Sequence, residues 1–195
     1  MKNKFYRCFI ALDLPAEIIK EIKKIQDALP EFVGKKIESE NLHLTLKFFG
    51  EISEEKIEQI KSALKNIKFQ KFETEIDSLG VFSEKAIRIV WLNLKNCDAL
   101  QKEVDDSLKG LFKPEERFMG HLTIARVKNV KDSPRDDSGE HPAVPSGEPK
   151  KEFLEKLKKI KLPKMKFVVE NFKLKSSILN AKCPVYEDIK VYDLR

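Results

Sequence analysis

Long apolar runs and cysteine are scarce in this sequence, and each shortage excludes a class of protein. No stretch approaches the roughly 18 consecutive apolar residues of a membrane-spanning helix, and the N-terminal segment reaches the charged Asp13 before a signal-peptide core and cleavage site develop. The three cysteines, Cys8, Cys97 and Cys183, lie far apart and match neither a Cys-x-x-Cys motif nor a Cys/His metal spacing. We therefore expect a cytoplasmic protein with reduced, structural cysteines and no membrane segment.

Charge, in contrast, is abundant and slightly unbalanced. The 195 residues include 38 Lys and Arg against 32 Asp and Glu, a formal net charge of +6. This length is enough to bury a sizeable core, as one domain or as two small lobes. The positive excess favours polyanionic partners such as nucleic acid, although a lysine-rich surface also serves solubility and heat stability.

Two of the three histidines lie in the same short phrase, which the sequence contains twice: "HLTLKFF" begins at His43 and "HLTIARV" at His121. Side chains alternate between the two faces of a strand, so each histidine shares a face with the threonine two residues on, Thr45 or Thr123. The same alternation places Lys47 beside His43. One such histidine is usually an ordinary strand residue, but the repetition indicates a functional pair.

The order of predicted elements also repeats. The segment "RIVWLNL" (88–94) aligns with "CFIALDL" (8–14), and each is followed by a helical pattern and then by a histidine strand at similar spacing. We predict one strand from His43 to Gly50, one at His121, and others over 5–14, 69–77, 87–94, 165–175 and 185–192. We predict helices after Pro15 and after Ser53, and two more over 98–109 and 149–160. Two copies at a long period indicate a duplication with pseudo-twofold symmetry, which would bring both histidines to one cleft.

The segment 132–149 is rich in proline, glycine and charge and poor in apolar residues. Such a composition buries too little apolar surface to offset the cost of ordering, so we predict a mobile surface loop. His141 lies in this segment, and we expect it to be exposed and without a partner.

Four stretches together resemble one protein family: "RCFIALDLP", "ENLHLTLKFFGEI", "LGVFSEKAIRIVWLNL" and "RFMGHLTIARVK". They resemble the two-histidine phosphoesterases and, within them, the RNA 2′,3′-cyclic phosphodiesterases, also called 2′-5′ RNA ligases. The resemblance spans almost the whole chain and implies an α+β fold, a single domain (1–195) of two pseudo-symmetric lobes, each with an antiparallel sheet and helices, around a central groove. Gly120 departs from the proline that many relatives have before the second histidine.

The resemblance also implies an activity, namely hydrolysis of RNA 2′,3′-cyclic phosphate ends to 2′-phosphomonoesters, with reversible 2′-5′ ligation as a related reaction. It makes His43 the proton donor to the leaving oxygen and His121 the proton acceptor from water, without metal, cofactor or ATP. The hydroxyls of Thr45 and Thr123 are placed to donate hydrogen bonds to the phosphate. Arg126 would clamp the phosphate, although strict alternation puts it on the opposite face from His121, so a bulge must re-aim it.

The expected partner is an RNA with a 2′,3′-cyclic phosphate end, such as a tRNA fragment, acted on by a monomer. Lys47 is a candidate substrate contact, and a solvated lysine is the equal alternative. Phe9 and Phe82 are candidates to stack on a base, although core packing is the interpretation that we favour for both. Two other functions stay open: a metal-dependent phosphoesterase, for which no third ligand is indicated, and a basic RNA-binding protein, which gives no reason for paired histidines.

Overall fold

The computed structural model describes residues 4–130, 148–179 and 184–195. The strands are β1 (Phe5–Asp13), β2 (Phe32–Lys36), β3 (His43–Ser53), β4 (Phe72–Val81), β5 (Ile89–Leu94), β6 (His121–Val130), β7 (Met165–Val169), β8 (Asn171–Leu179) and β9 (Pro184–Asp193). The helices are α1 (Ala16–Asp27), α2 (Glu54–Leu64), α3 (Asp98–Ser107) and α4 (Glu148–Lys158), with a 3₁₀ turn at Ser39–Asn41. Within the described residues, no helix is long and apolar enough to cross a bilayer.

One curled antiparallel sheet joins the nine strands in two halves. The strand order is β7-β4-β5-β6-β3-β1-β8-β9, and β2 pairs with β6 outside this order. The halves β7-β4-β5-β6 and β3-β1-β8-β9 join where β6 meets β3, at the pair Leu44 and Leu122. The predicted α+β fold of two pseudo-symmetric halves is therefore confirmed.

The two halves repeat the same strand register. In the first half the pairs are Asp13–His43, Leu12–Leu44, Ala11–Thr45, Ile10–Lys47 and Phe9–Phe48. In the second half they are Asn93–His121, Leu92–Leu122, Trp91–Thr123, Val90–Ala125 and Ile89–Arg126. Both registers skip one residue directly after the threonine, which is a β-bulge at the same place in each copy.

One strand of each copy crosses into the opposite half. The strand β4 follows β3 and α2 in sequence, yet it pairs with β5 in the second half. Likewise β8 follows β6 and α4 but pairs with β1 in the first half. The copies therefore exchange strands, an arrangement that the repeated sequence pattern alone does not predict.

The core fills from the apolar stripes of the helices and the inward faces of the strands. The buried stripe residues are Ile18, Ile22 and Ile25 of α1, Ile57, Ile60 and Leu64 of α2, and Leu100 and Val104 of α3. The Ser53 side chain caps α2 by accepting a hydrogen bond from the Lys56 N–H at 3.3 Å. Cys8 and Cys97 are free and buried, and burial raises the pKa of each to about 11, so neither is a nucleophile at neutral pH.

Several elements differ from the sequence-based predictions. The strand β3 continues to Ser53 instead of ending at Gly50, because Gly50 takes a positive φ of 73° inside a bulge of the strand. The strand β2 was not predicted, since its Gly and Lys residues give no apolar alternation. The predicted strand over 165–175 is two strands, β7 and β8, separated at Glu170.

The predicted loop over 132–149 lies outside the described residues except for its last two positions, which begin α4. His141 and Cys183 also lie outside the described residues. The helix α4 thus begins one residue before the predicted position 149, and the loop stays a prediction.

Leu122 is fully buried at the contact between the two halves. We predict that Leu122→Ala lowers the free energy of unfolding by about 3 kcal/mol, because it leaves a cavity where neither half can collapse to fill it. Urea denaturation followed by circular dichroism measures this loss. Val168→Ala is the matched control, since Val168 is 51% exposed in an edge strand, and it should cost well under half as much. Equal losses in the two variants would show that the contact is not critical to the fold.

Candidate active site

A cavity of about 300 Å³ lies where the two halves meet. Its walls come from both halves and from the segment between β2 and β3. The lining residues are Arg7, Phe9, Lys35, Ile37, Glu38, Asn41, His43, Thr45, Phe48, His121, Thr123, Arg126, Ser177, Pro184 and Tyr186. Five of the six predicted site residues are in this set, and Lys47 is not.

The pairing of β3 with β6 explains how the two motifs reach one cavity. Leu44 and Leu122 are direct antiparallel partners and point into the core. Continuing that register by one residue places His43 opposite Thr123, and His121 opposite Thr45, on the other face of the sheet. The two imidazoles and the two hydroxyls of the motifs therefore face the same cavity.

The two histidines make the same hydrogen bond. Nδ1 of His43 donates to the carbonyl of Asn41 at 2.8 Å, and Nδ1 of His121 donates to the carbonyl of Met119 at 2.8 Å. A carbonyl only accepts, so Nδ1 must carry the proton in both rings. This fixes the tautomer and leaves Nε2 of each ring as the atom that can accept or donate a proton in catalysis.

The rings differ in their aromatic neighbours. His43 packs between Phe9 and Tyr186, with ring centroids at 5.0 and 5.1 Å. Phe9 is itself buried, but in the cavity wall and not in the main core cluster. Among the described residues, His121 has one aromatic ring neighbour, Phe82, with ring centroids 4.9 Å apart in a T-shaped arrangement, and Phe82 is 53% exposed. Core packing of Phe82 is therefore a wrong prediction, because this side chain lies on the surface beside the second motif.

The enclosed position of His43 affects its protonation. Burial lowers the pKa of His43 below its ordinary value, although the Asn41 carbonyl opposes this by stabilising the protonated ring. The cations of Lys175 and Arg126 lower the pKa of His43 further, and Asp13 raises it. The imidazolium form of His43 is thus disfavoured, and an anionic ligand would oppose this by adding negative charge beside the ring.

Arg126 reaches the cavity because β6 contains the bulge that was expected from its place in the alternation. Ile124 and Ala125 are both buried, so the alternation of β6 shifts by one residue and Arg126 returns to the face of His121 and Thr123. The same shift in β3 brings Phe48 into the cavity, although simple alternation predicted that it faces the core.

The bulge in β3 also turns Lys47 away from the cavity, so the prediction that Lys47 contacts substrate is wrong. The Lys47 ammonium is 5% exposed and forms an ion pair with Asp105 of α3. It also donates to the carbonyl of Lys113 at 2.7 Å. Asp105 in turn accepts from Gln101 at 2.6 Å and from the Glu115 N–H at 2.7 Å. This buried network holds the segment before β6 against β3 and thereby supports the position of His121.

Close packing explains why a glycine, Gly120, stands directly before the second histidine. Its carbonyl accepts a hydrogen bond from the Leu94 N–H at 2.7 Å, and a Cβ at this position would lie 2.4 Å from the Leu94 oxygen. The close approach to β5 therefore favours a residue without a side chain here.

Comparison with known proteins shows the family of this chain. The sequence matches the family model described as LigT like Phosphoesterase over residues 12–91 and 94–186, two segments that correspond to the two copies. The chain belongs to the LigT-like phosphoesterase family. The resemblance drawn from the two motifs is thus confirmed, and the protein is an enzyme.

Curated relatives and solved structures match the LigT-like phosphoesterase over nearly its full length. The RNA 2′,3′-cyclic phosphodiesterase of Archaeoglobus fulgidus is 32% identical over 193 residues, 96% of this chain and 99% of the relative. That of Methanocaldococcus jannaschii is 32% identical over 188 residues, 94% and 98% of the two chains. The crystal structure of Escherichia coli LigT complexed with 3′-AMP aligns with a TM-score of 0.71 at 24% identity, over 98% of this chain and 99% of that one. A Thermus thermophilus protein aligns with a TM-score of 0.74 at 24% identity, over 97% and 98%.

Several residues of the phosphoesterase cavity were not found by sequence reasoning. Tyr186 and Ser177 reach it from β9 and β8, Asn41 from the 3₁₀ turn, and Arg7 from the start of β1. Arg7 and Asn41 carried a usable signal, since they stand in the "RCFIALDLP" and "ENLHLTLKFFGEI" stretches. The others depend on long-range pairing that no local pattern encodes. Among the described residues, no group of three His, Cys, Asp or Glu side chains is placed to hold a metal ion.

The buried pair of Lys47 and Asp105 predicts a pH-dependent stability. Burial alone would raise the pKa of Asp105, but hydrogen bonds from Lys47, the Glu115 N–H and Gln101 outweigh it and hold that pKa below its ordinary value. A carboxylate whose pKa is lower in the folded state stabilises the protein above its unfolded pKa, and the contribution is lost as pH falls through the folded value. We predict that Asp105→Asn lowers the free energy of unfolding by about 3 kcal/mol at pH 7, because it leaves the Lys47 charge unpaired. The difference from the wild type should shrink below about pH 4.

Urea denaturation at pH 7 and pH 3 measures this difference. The matched control is Asp106→Asn, which removes a neighbouring carboxylate that is 59% exposed and pairs with Lys102 on the surface. The control should cost less than about 1 kcal/mol. A pH-independent loss in Asp105→Asn, or equal losses in both variants, would contradict the role assigned to the pair.

The environment of His43 predicts its titration. We expect the His43 ring, followed by NMR in the protein without ligand, to titrate below the ordinary imidazole value of about 6.5 because of burial and the nearby cations. Saturation with inorganic phosphate should raise this pKa, since an anion in the cavity stabilises the protonated ring. His43→Gln identifies the resonance by its disappearance. A midpoint at or above the ordinary value without phosphate would refute this account of the site.

Proposed function

We propose that this phosphoesterase hydrolyses RNA ends that carry a 2′,3′-cyclic phosphate and produces a terminal 2′-phosphate, with His43 and His121 as the general acid and base. The observation that carries the proposal is the repeated pair itself: two histidines in one cavity, each with Nδ1 bound to a backbone carbonyl and Nε2 left available. The curated relatives named RNA 2′,3′-cyclic phosphodiesterase support the substrate class.

The reaction is an in-line displacement at phosphorus. Water attacks from the side of His121, whose Nε2 accepts a proton as the new P–O bond forms. On the far side of phosphorus the bond to the ribose 3′ oxygen breaks, and Nε2–H of His43 donates the proton that completes the 3′-hydroxyl. The 2′ oxygen keeps the phosphate. Two imidazoles suit this chemistry because their pKa lies near neutral pH, so one ring can be neutral while the other is protonated.

The negative charge that develops on the non-bridging oxygens has donors on both sides. The hydroxyls of Thr45 and Thr123 lie one alternation step from the histidines and are proposed to donate hydrogen bonds to these oxygens. The guanidinium of Arg126 is proposed to bind the same phosphate with a charge-assisted hydrogen bond. These groups are fixed by the sheet, so they need no reorganisation during the reaction.

Substrate charge resolves the apparent conflict between a lowered pKa and an acid role for His43. Burial favours the neutral ring in the empty cavity, with further contributions from Lys175 and Arg126. The cyclic phosphate brings a negative charge beside the ring, which raises the pKa of His43 and draws a proton onto Nε2 as the substrate binds. Binding and protonation of the acid are therefore linked.

The same groups are proposed to support reversible 2′-5′ ligation, in which an RNA 5′-hydroxyl replaces water as the nucleophile. The equivalent Nδ1 contacts favour this, since acid and base must exchange roles in the reverse direction. The cyclic phosphate supplies the activation, so no ATP is consumed. Cleaved tRNA ends are substrates of this kind, and all the proposed groups come from one chain, which suits action as a monomer.

The decisive experiment incubates the protein with a short RNA that ends in 2′,3′-cyclic phosphate and identifies the product by ³¹P NMR. We expect a 2′-phosphate, unchanged turnover in excess EDTA, and losses in kcat on the order of 10³-fold in His43→Ala and in His121→Ala. Lys128→Ala, an exposed change in β6 outside the cavity lining, is the control with retained activity.

Other outcomes separate the alternatives. A 3′-phosphate product, or native turnover in the double variant His43→Ala/His121→Ala, would overturn the mechanism. Loss of turnover in EDTA that added metal restores would indicate a metal-dependent phosphoesterase. RNA binding without any turnover would indicate a binding protein.

A further inference from the structure

The bulged register leaves a difference between the two halves of the cavity. Arg126 stands five residues after His121, and the equivalent position after His43 is Phe48. In the first half the cation comes from another strand. The Arg7 guanidinium of β1 lies over the Phe48 ring, 4.8 Å from its centroid. Each half thus presents one arginine to the cavity, but from different backbone positions.

Among the described residues, neither arginine forms an ion pair with an acidic side chain. Across the described ranges 4–130, 148–179 and 184–195, no ion pair to a carboxylate involves Arg7 or Arg126. Glu38, the acidic residue of the cavity lining, pairs with Lys35 at 2.5 Å instead. Both guanidiniums act on the Tyr186 phenol, where they oppose the rise that burial causes in its pKa. Two uncompensated cations around one ring suit a ligand with more than one negative charge.

The position of Arg7 gives the spacing between those charges. Arg7 and Phe9 are two residues apart on β1 and share a face of the strand, and the Phe9 ring contacts His43 at 5.0 Å. Two strand residues span about 7 Å, which is the order of one nucleotide step along an extended single strand. Ser177, the direct partner of Arg7 on β8, adds a hydroxyl to the cavity at the same level.

Phe48 contributes a platform as well as a support for the guanidinium. Its side chain is 50% exposed although it lines the cavity. A guanidinium stacked on an aromatic face loses little freedom when it binds a phosphate, because the ring already holds its plane. The pair is therefore preorganised for an anion at the outer end of the cavity.

We propose that Arg7, held on Phe48, binds the phosphodiester that precedes the terminal nucleotide, so that the enzyme prefers oligonucleotide ends to cyclic mononucleotides. The inference rests on the proposed function, since it assigns the second phosphate of the same RNA. It separates two arginine roles: Arg126 contacts the phosphate that reacts, and Arg7 contacts the phosphate one step upstream.

The test compares two substrates in the intact protein: a cyclic mononucleotide and a dinucleotide with the same terminal cyclic nucleotide. For Arg7→Met we expect the ratio of kcat/KM for the dinucleotide to kcat/KM for the mononucleotide to fall by about tenfold, the effect of one charge-assisted hydrogen bond at a partly exposed site. The loss should be in KM. Arg88→Met is the matched control, because Arg88 lies outside the cavity lining and its guanidinium donates to the carbonyl of Lys128.

A second substrate change isolates the charge. Replacing the internal phosphodiester of the dinucleotide by an uncharged methylphosphonate should cost the wild type about tenfold in kcat/KM and should cost Arg7→Met almost nothing. Such coupling identifies the contact as arginine to phosphate and cannot come from a general loss of structure.

Three results would overturn the inference. An unchanged ratio in Arg7→Met shows that no upstream phosphate contact exists. An equal penalty for methylphosphonate in both proteins shows that Arg7 contacts the base or ribose instead. A loss in kcat for both substrates alike places Arg7 on the reacting phosphate. Absence of hydrolysis of either substrate by the wild type would refute the proposed function itself, which distinguishes that failure from failure of the upstream site.

Discussion

The site depends on one contact between strands, the antiparallel pair of Leu44 and Leu122 at the pseudo-twofold axis. Because these leucines point into the core, the residues on either side of them must point the other way, into the cavity. A shift of one residue in this register would turn both histidines into the core and both leucines into the cavity. Beyond the contact β6 pairs with β2 instead of β3, so the two halves separate and leave room for a ligand.

The equivalent bulges in β3 and β6 have different effects on the two motif strands. After the threonine, the skipped residue lets β6 return Arg126 to the cavity, while the same irregularity in β3 sends Lys47 inward. A buried ammonium requires a partner, and Asp105 supplies it from α3 together with backbone contacts at Lys113 and Glu115. The bulge in β6 thus brings Arg126 into the cavity. The equivalent bulge in β3 buries Lys47 and creates the polar network that holds the segment before His121.

Much of this arrangement follows from local pattern. The alternation in both motifs, the helix stripes and the duplicated order of elements predict the halves, the shared cavity and its four central side chains, because each depends on residues close in sequence. The failures have a common origin in non-local geometry. Strict alternation puts Lys47 and Phe48 on the wrong faces because a bulge is not visible in it. The strand β2 was missed because its sequence FVGKK shows no apolar alternation. Tyr186 reaches the cavity only through the pairing of β9 with β8.

The exchange of β4 and β8 between the halves has a consequence for how the chain acquires its structure during synthesis. The strand β1 is made first, yet one of its two neighbours in the sheet is β8, and the ion pair between Asp13 and Lys175 joins residues 162 positions apart. The first copy cannot complete its own half-sheet from its own sequence. One edge of β1 therefore stays unpaired during translation until nearly the whole chain has been synthesised. Folding of the two halves is therefore a single cooperative event with high contact order, and a chain divided between the copies would recover its sheet only when both fragments associate.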